Sequence, residues 1–179
     1  FHDFALQPLR ARKLSQLGPG VAWLDVDGDS QDDLVIGSGR GGTIAAYRND
    51  GKGGLVRWKL PALNLPVADD TTGLVAWSGA AGRRSLLVGL SNYESGATNR
   101  PAIRRFDFSE ATLKETVAPT GFPASPGPLA VADVDGDGDL DLFVGGRVIP
   151  GRYPEAASSQ VFRNDGGKLV LDVEHSRRF

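Results

Sequence analysis

The sequence contains no cysteine and no methionine. Without cysteine there are no disulfides, and thiol usage says nothing about the compartment. The missing methionine, with Phe1 in first position, leads us to expect a processed or excised segment of a longer chain. No apolar run approaches the roughly 18 residues that a membrane helix needs, so no membrane insertion is expected. The first residues do not read as a signal peptide. Positive charge is not in excess: the formal net charge is −2, which leaves no basic footprint for nucleic acid. Only two histidines occur, His2 and His175, and neither has a partner at metal-ligand spacing. No stretch holds a helical hydrophobic period over about 11 residues.

What the chain does have is turn chemistry and locally concentrated acid. Its 24 glycines and 11 prolines are spread evenly, which predicts many short strands in one domain of ordinary size. Ten of its 22 acidic residues fall in two short segments. The first runs Asp25, Val26, Asp27, Gly28, Asp29, Ser30, Gln31, Asp32, Asp33, and is followed by Leu34-Val35-Ile36-Gly37. The second runs Asp133, Val134, Asp135, Gly136, Asp137, Gly138, Asp139, Leu140, Asp141, and is followed by Leu142-Phe143-Val144-Gly145.

Oxygen-bearing residues at positions 1, 3, 5, 7 and 9 of a tight loop suit Ca²⁺, a hard cation that takes about 6–8 oxygen ligands. The expected ligands are Asp25, Asp27, Asp29, Gln31 and Asp33 in one loop. In the other they are Asp133, Asp135, Asp137, Asp139 and Asp141. Position 7 is expected to act through its carbonyl, which allows Gln31 in one loop and Asp139 in the other. Gly28 and Gly136 stand where the turn bends most sharply. An EF-hand shares this first half but needs a bidentate Glu at position 12. That position holds Ile36 or Val144 inside a strand-like run, which excludes the EF-hand. Two bound dications would move the formal net charge from −2 to +2.

The two loops lie 108 positions apart, and half that interval predicts a middle copy. Val75-Ala76-Trp77 repeats Val21-Ala22-Trp23 at an interval of 54, and Leu86-Leu87-Val88-Gly89 repeats Leu34 to Gly37 two residues early. Between them Ser78 to Ser85 carries no carboxylate, so no metal is expected there. Third strands are read at Thr43 to Arg48, Ala102 to Phe106 and Gln160 to Arg163. Fourth strands are read at Leu55 to Leu60, Thr112 to Val117 and Leu169 to Val173. Asn49-Asp50-Gly51 and Asn164-Asp165-Gly166 are the hairpin turns between them in the outer copies.

The fold expected is therefore all-β: a β-propeller of four-stranded antiparallel blades, with about three blades in this chain. Residues 1–17 form an outer strand and lead-in, 18–71 the first blade, 72–125 a degenerate second blade, and 126–179 the third. Propellers close with about 4–8 blades. Closure is thus expected to need the rest of a longer chain or a second copy.

Copies one and three resemble the FG-GAP repeat of the integrin α-subunit propeller and its bacterial relatives, the VCBS-type repeats. The pattern is Asp-x-Asp-Gly-Asp, three residues, Asp, then a small apolar strand ending in Gly. Gly145 to Pro154 looks like the bacterial branch. The resemblance covers residues 18–179, but copy two keeps only the flanking strands. It implies structural calcium and an extracellular or cell-surface location, with a protein or carbohydrate ligand held on exposed loops.

The remaining features read as framework. Trp23 and Trp77 fall at equivalent repeat positions and are expected in the packing between blades, with Trp58 packing on an outer strand. Gly37 to Gly42 lacks the Lys and helix of a phosphate loop and reads as a hairpin turn. Ser15, Ser38 and Ser91 have no nucleophile-elbow context. Arg83-Arg84 and Arg104-Arg105 read as solvated pairs. The long loops, Ser91 to Asn99 with Tyr93 and Glu94, and the insert with Arg147, Arg152, Tyr153 and Glu155, are where a ligand could be met. No acid–base pair converges outside the metal loops, so the chain is read as a binding module rather than an enzyme. The alternatives are the propeller part of a secreted polysaccharide-active enzyme, or a spacer in a large surface protein.

Overall fold

The structure is a computed structural model that describes residues 1–15, 17–78, 83–97, 100–109, 112–116 and 121–179. Its core is three four-stranded antiparallel sheets, each a meander in chain order. The first sheet comprises β1 (Val21–Leu24), β2 (Asp33–Ile36), β3 (Ala45–Asn49) and β4 (Leu55–Trp58). The second comprises β5 (Asp70–Ser78), β6 (Arg84–Ser91), β7 (Ile103–Ser109) and β8 (Thr112–Thr116). The third comprises β9 (Ser125–Ala132), β10 (Asp141–Val148), β11 (Gln160–Asp165) and β12 (Lys168–Asp172). No helix among the described residues is long and apolar enough to cross a membrane.

The second sheet is packed on both faces. Leu74, Leu86, Val88 and Phe106 meet Ala22, Leu24 and Val35 of the first sheet. Trp77, Leu87 and Ile103 on its other face meet Leu142, Val144 and Phe162 of the third. Burial on both sides is what the long apolar run Leu86 to Leu90 encodes, since a one-sided strand would alternate. The leading strands approach closely: the Gly20 amide donates to the Thr71 carbonyl at 2.9 Å. A Cβ on Gly73 would stand 2.9 Å from Leu129 Cγ, so this crossing needs glycine.

Pairing register corrects the repeat alignment. Trp23 pairs with Leu34, the first residue of its apolar run. Trp77 pairs with Ser85, the residue before the matching run, whose first residue, Leu86, faces Ala76. Trp77 therefore occupies the place of Leu24, one residue out of step with Trp23. A one-residue shift sends a side chain to the opposite face of a sheet. Trp77 is accordingly buried between the second and third sheets, whereas Trp23 is 53% exposed on the free face of the first. The two tryptophans are not equivalent, and only Trp77 is intersheet core. Trp58 is partly buried against the first cluster.

The chain ends also differ from expectation. The expected outer strand at the N-terminus is instead one helical turn, α1 (Asp3–Leu6), and belongs to none of the three sheets. His2 Nδ1 accepts from the Ala5 amide at 3.2 Å. The Asp3 carboxylate draws the following chain back by accepting from the amides of Leu14 at 2.7 Å and Ser15 at 3.1 Å, and from the Ser15 hydroxyl. At the other end β12 stops at Asp172, whose Oδ1 caps a final turn, α2 (Val173–Ser176), by accepting from the His175 amide at 3.0 Å. Phe179 then packs edge-on against Phe143, 5.3 Å between centroids, and borders a cleft of about 210 Å³ on the outer face of the third sheet. In the first sheet β4 stops at Trp58, two residues short of the expected Leu60, and Pro61 opens a 3-10 turn over Pro61–Leu63. β7 runs three residues past the expected end at Phe106. Val117, expected at the end of the fourth strand, lies outside the described residues.

Asp3 is the tie of the N-terminal segment. Burial opposes its ionised form, but the hydrogen bonds from Ser15 and the Leu14 and Ser15 amides outweigh it and hold the carboxyl at about 2. Because the folded value lies below the unfolded one, the stabilisation is present above the ordinary range near 3.8 and is lost as pH falls through about 2. Asp3→Asn is expected to cost about 2 kcal/mol at pH 7, with the difference from the parent shrinking below pH 4. Urea unfolding of both proteins at several pH values measures this; a pH-independent difference would refute the assignment.

Candidate metal centre

Each acidic loop joins the first two strands of its sheet, between β1 and β2 or between β9 and β10. The loops curl through residues of positive φ: Gly28 at 88° and Ser30 at 67° in the first, Gly136 at 80° and Gly138 at 91° in the second. Ser30 holds, at the cost of a Cβ, a conformation that glycine takes freely in the other copy. Position 1 organises the curl. Asp25 accepts from the amides of Gly28 at 2.6 Å and Ser30 at 3.1 Å. Asp133 accepts from Gly136 at 2.7 Å and Gly138 at 3.0 Å.

Position 9 anchors each loop to the sheet. Asp33 is fully buried and accepts from the amides of Val26 at 3.0 Å and Asn49 at 2.9 Å. Asp141, 1% exposed, accepts from Val134 and Asn164, both at 2.8 Å. One carboxylate thus ties the loop start to the end of the third strand in both copies. Burial is the main force raising the Asp33 carboxyl above its ordinary range, opposed by the Asn49 and Val26 amides and reinforced by the negative charges of Asp27 and Asp29. Asp25 is lowered: burial opposes ionisation, but the Gly28 and Ser30 amides and Arg84 prevail.

Three carboxylates converge in each loop: Asp25, Asp27 and Asp33 in one, Asp133, Asp135 and Asp141 in the other, each triad offering oxygens within 4.8 Å of one another. Each group could hold a metal ion. The donors are all carboxylate oxygen, with no nitrogen or sulfur, and such a set fits a hard cation. The carboxylates of Asp29, Asp137 and Asp139 are not part of these triads, while position 7, Gln31 or Asp139, is expected to act through its backbone carbonyl. Asp29 and Asp137 brace their loops, accepting from the amides of Gln31 and Asp139, both at 2.8 Å.

Arginines that the sequence does not connect to the loops complete the surroundings. Arg48 Nε lies 2.5 Å from Asp27 Oδ2, an ion pair in which that oxygen gains no aligned hydrogen bond. Arg163, in the matching place, is 3.9 Å from Asp135 and 3.3 Å from Asp172. Both precede an Asn-Asp-Gly turn, a regularity visible in the sequence. Arg84 reaches from the second sheet to Asp25 of the first loop, 2.9 Å from Oδ2 and 3.1 Å from the carbonyl oxygen.

The middle sheet inverts these charges. Part of its β5–β6 connection, 79–82, lies outside the described residues. Ser85 stands where the other copies have Asp33 and Asp141, and donates to Asp107 at 2.7 Å. Asp107 pairs with Arg105 at 2.6 Å, and Arg83 approaches it to 3.8 Å. Arg105 is buried beneath the Trp77 ring, 4.4 Å from its centroid. Arg104 grips Glu115 through two bonds of 2.7 and 2.6 Å. The expectation of merely solvated pairs is corrected: Arg84, Arg104 and Arg105 make close ion pairs and Arg83 a longer, exposed one.

The long connections meet the N-terminal segment. Tyr93 is buried with Leu14 and Val148. Gln7 donates to the Ile149 carbonyl at 3.3 Å, and Arg10 lies 5.3 Å from the Tyr93 ring and 5.5 Å from the Tyr153 ring. Arg152 pairs with Glu155 at 2.8 Å. Of the Ser91 to Asn99 hairpin, 98–99 lie outside the described residues. Ser15, Ser38 and Ser91 bond to framework groups, Asp3, Gly39 and Ser125. No protein-family model matches the chain, and no characterised protein sequence matches it.

Proposed function

We propose that the chain is a three-blade portion of a β-propeller of the FG-GAP and VCBS type, whose two acidic loops hold Ca²⁺ as structural ions. Its role is extracellular or cell-surface binding or adhesion toward a protein or carbohydrate ligand. The observation that carries this reading is the paired triads: the same three loop positions converge in two sheets, each with its position-9 carboxylate anchored to two backbone amides. Three sheets packed face on face, leading strand beside leading strand, support the blade reading. In this role Asp25, Asp27, Asp33 and Asp133, Asp135, Asp141 hold the ions, and Ca²⁺ supplies the charge that relieves repulsion within each triad. The rest of a longer chain or a second copy completes the ring.

Calcium bound only by the folded chain stabilises by mass action. With extracellular-type affinities of about 10⁻⁴–10⁻³ M, 10 mM Ca²⁺ is expected to add about 1–3 kcal/mol per site. For a chain of this size that raises Tm by about 3 °C or more. Calorimetric melting in Ca²⁺ and in EDTA at matched ionic strength measures it, and equal melting temperatures would sink the calcium reading.

A further inference from the structure

The two long connections meet the N-terminal segment around a cavity of about 370 Å³. That volume lies within the range of small-ligand pockets, about 300–1,000 Å³. Leu6 ends α1, Glu94 lies in the turn after β6, Pro123 precedes β9, and Ile149, Pro150 and Arg152 follow β10; all six line the cavity. The walls are braced, since Gln7 holds the Ile149 carbonyl and Arg10 lies over the Tyr93 and Tyr153 rings. A ligand therefore meets a preformed site and orders little on arrival.

Charge in this cavity is not balanced. Arg152 is taken up by Glu155 at 2.8 Å. Glu94 is half-buried, and among the described residues it has no hydrogen-bond or ion-pair partner. Burial raises its carboxyl above the ordinary range, and the negative charge of Asp70 adds to this against Arg40. A cation brought to Glu94 supplies the partner that the fold withholds.

The rest of the lining is largely aliphatic, and no described lining residue is aromatic. The fitting occupant carries a positive tip on an apolar stem. Lysine is such a group: its stem covers apolar surface while the ammonium stays at a polar edge. Arginine fits less well, because its planar guanidinium favours aromatic stacking and two-pronged contacts. A neutral sugar brings no cation to Glu94 and finds no ring to stack on.

We propose that this cavity receives a lysine side chain of a protein partner, with its ammonium on Glu94 and its stem against Leu6, Ile149 and Pro150. The proposal rests on the reading of the chain as a binding module and names the ligand chemistry; it does not require calcium.

The test is two-dimensional amide NMR of the isotope-labelled full chain, titrated with acetyl-lysine methylamide in CaCl₂ and in EDTA. The Ser95, Gly96, Ile149 and Gly151 amides, at or in the cavity wall, are expected to move. The expected Kd is about 1 mM, the strength usual for a ligand of this size. Acetyl-norleucine methylamide, which keeps the stem without the ammonium, should bind about fivefold more weakly, and Glu94→Gln should weaken the lysine probe by about the same factor. Arg152→Gln should leave Kd within about twofold, because that arginine already serves Glu155. Glu94 has no partner to lose, so Glu94→Gln is expected to fold; if it does not, the two probes on the parent chain still answer the question. Equal binding of the two probes, undiminished lysine binding by folded Glu94→Gln, or movement confined to amides away from the cavity would each overturn the proposal. Chitotriose moving the cavity amides where the lysine probe does not would overturn it in favour of carbohydrate. Lysine binding with no calcium effect on melting upholds the proposal and removes the calcium reading, and a calcium effect with no lysine binding does the reverse.

Discussion

Asp141→Ala is expected to destabilise the metal-free chain by about 3–5 kcal/mol, enough to consume a large part of the stability of an ordinary domain. The Asp141 carboxylate is buried and makes two charge-assisted hydrogen bonds, to the amides of Val134 and Asn164. Each is worth about 1.5–3 kcal/mol, and alanine leaves both donors facing a space with no acceptor. Val134 opens the acidic loop and Asn164 lies near the end of β11, so the change also frees the loop from the third strand. Asp33→Ala should behave alike through Val26 and Asn49, with a smaller penalty because burial and neighbouring acids already raise that carboxyl. Asp137→Ala is the control: its carboxylate makes one local, exposed bond to the Asp139 amide, and the expected cost is below about 1 kcal/mol. Urea unfolding in EDTA separates these numbers from any contribution of metal. A cost below 1 kcal/mol for Asp141→Ala, at unchanged denaturant slope, would mean that the position-9 carboxylate is not the anchor described.

The legible parts of this molecule are those set by local chemistry. Aspartates at alternate positions around a glycine can curl in few ways; the spacing put positions 1, 3, 5, 7 and 9 on one loop, and the structure draws the carboxylates of 1, 3 and 9 together. Asn-Asp-Gly marked two hairpin turns, and short apolar runs marked the strands beside them. Position 9 was legible as part of the acidic cluster but not as a buried brace, because its partners, Asn49 and Asn164, belong to another strand. Arg84 was illegible for the same reason: its contact to Asp25 depends on how the second sheet stacks on the first. The N-terminal turn escaped because Phe1 to Leu6 alternates weakly, as a strand would, and is shaped by Asp3 binding Leu14 and Ser15. Trp23 and Trp77 show the deeper difficulty. Identity of three consecutive residues argued for one alignment, while the two-residue shortening of the following loop argued for another. Only pairing register decides which face a strand residue occupies.

That register yields the second large effect. Trp77→Ala is expected to cost about 3–5 kcal/mol, and Trp23→Ala less than about 1 kcal/mol, although both residues follow Val-Ala in the sequence. Trp77 is 2% exposed among Leu87, Ile103, Leu142, Val144 and Phe162, so truncation opens a cavity between two sheets that cannot close without moving both. It also removes the indole hydrogen bond to the Leu140 carbonyl, 2.6 Å, and the ring that covers the buried Arg105 guanidinium. Leu140 belongs to the second acidic loop, next to the anchor Asp141, so the indole ties that loop to the neighbouring sheet as Arg84 ties the first. Trp77→Phe separates the two contributions: it keeps most of the volume and loses the hydrogen bond, and should cost about 1–2 kcal/mol. Trp23 already has half its surface in water, and its removal opens no enclosed space. Fluorescence provides an independent reading, since Trp77→Ala should remove the blue-shifted, quencher-protected part of the emission and Trp23→Ala the quencher-accessible part. Equal destabilisation by the two alanine substitutions would restore the in-phase alignment, with both tryptophans between sheets. A larger loss from Trp23→Ala would mean that another protein surface covers the free face of the first sheet in solution.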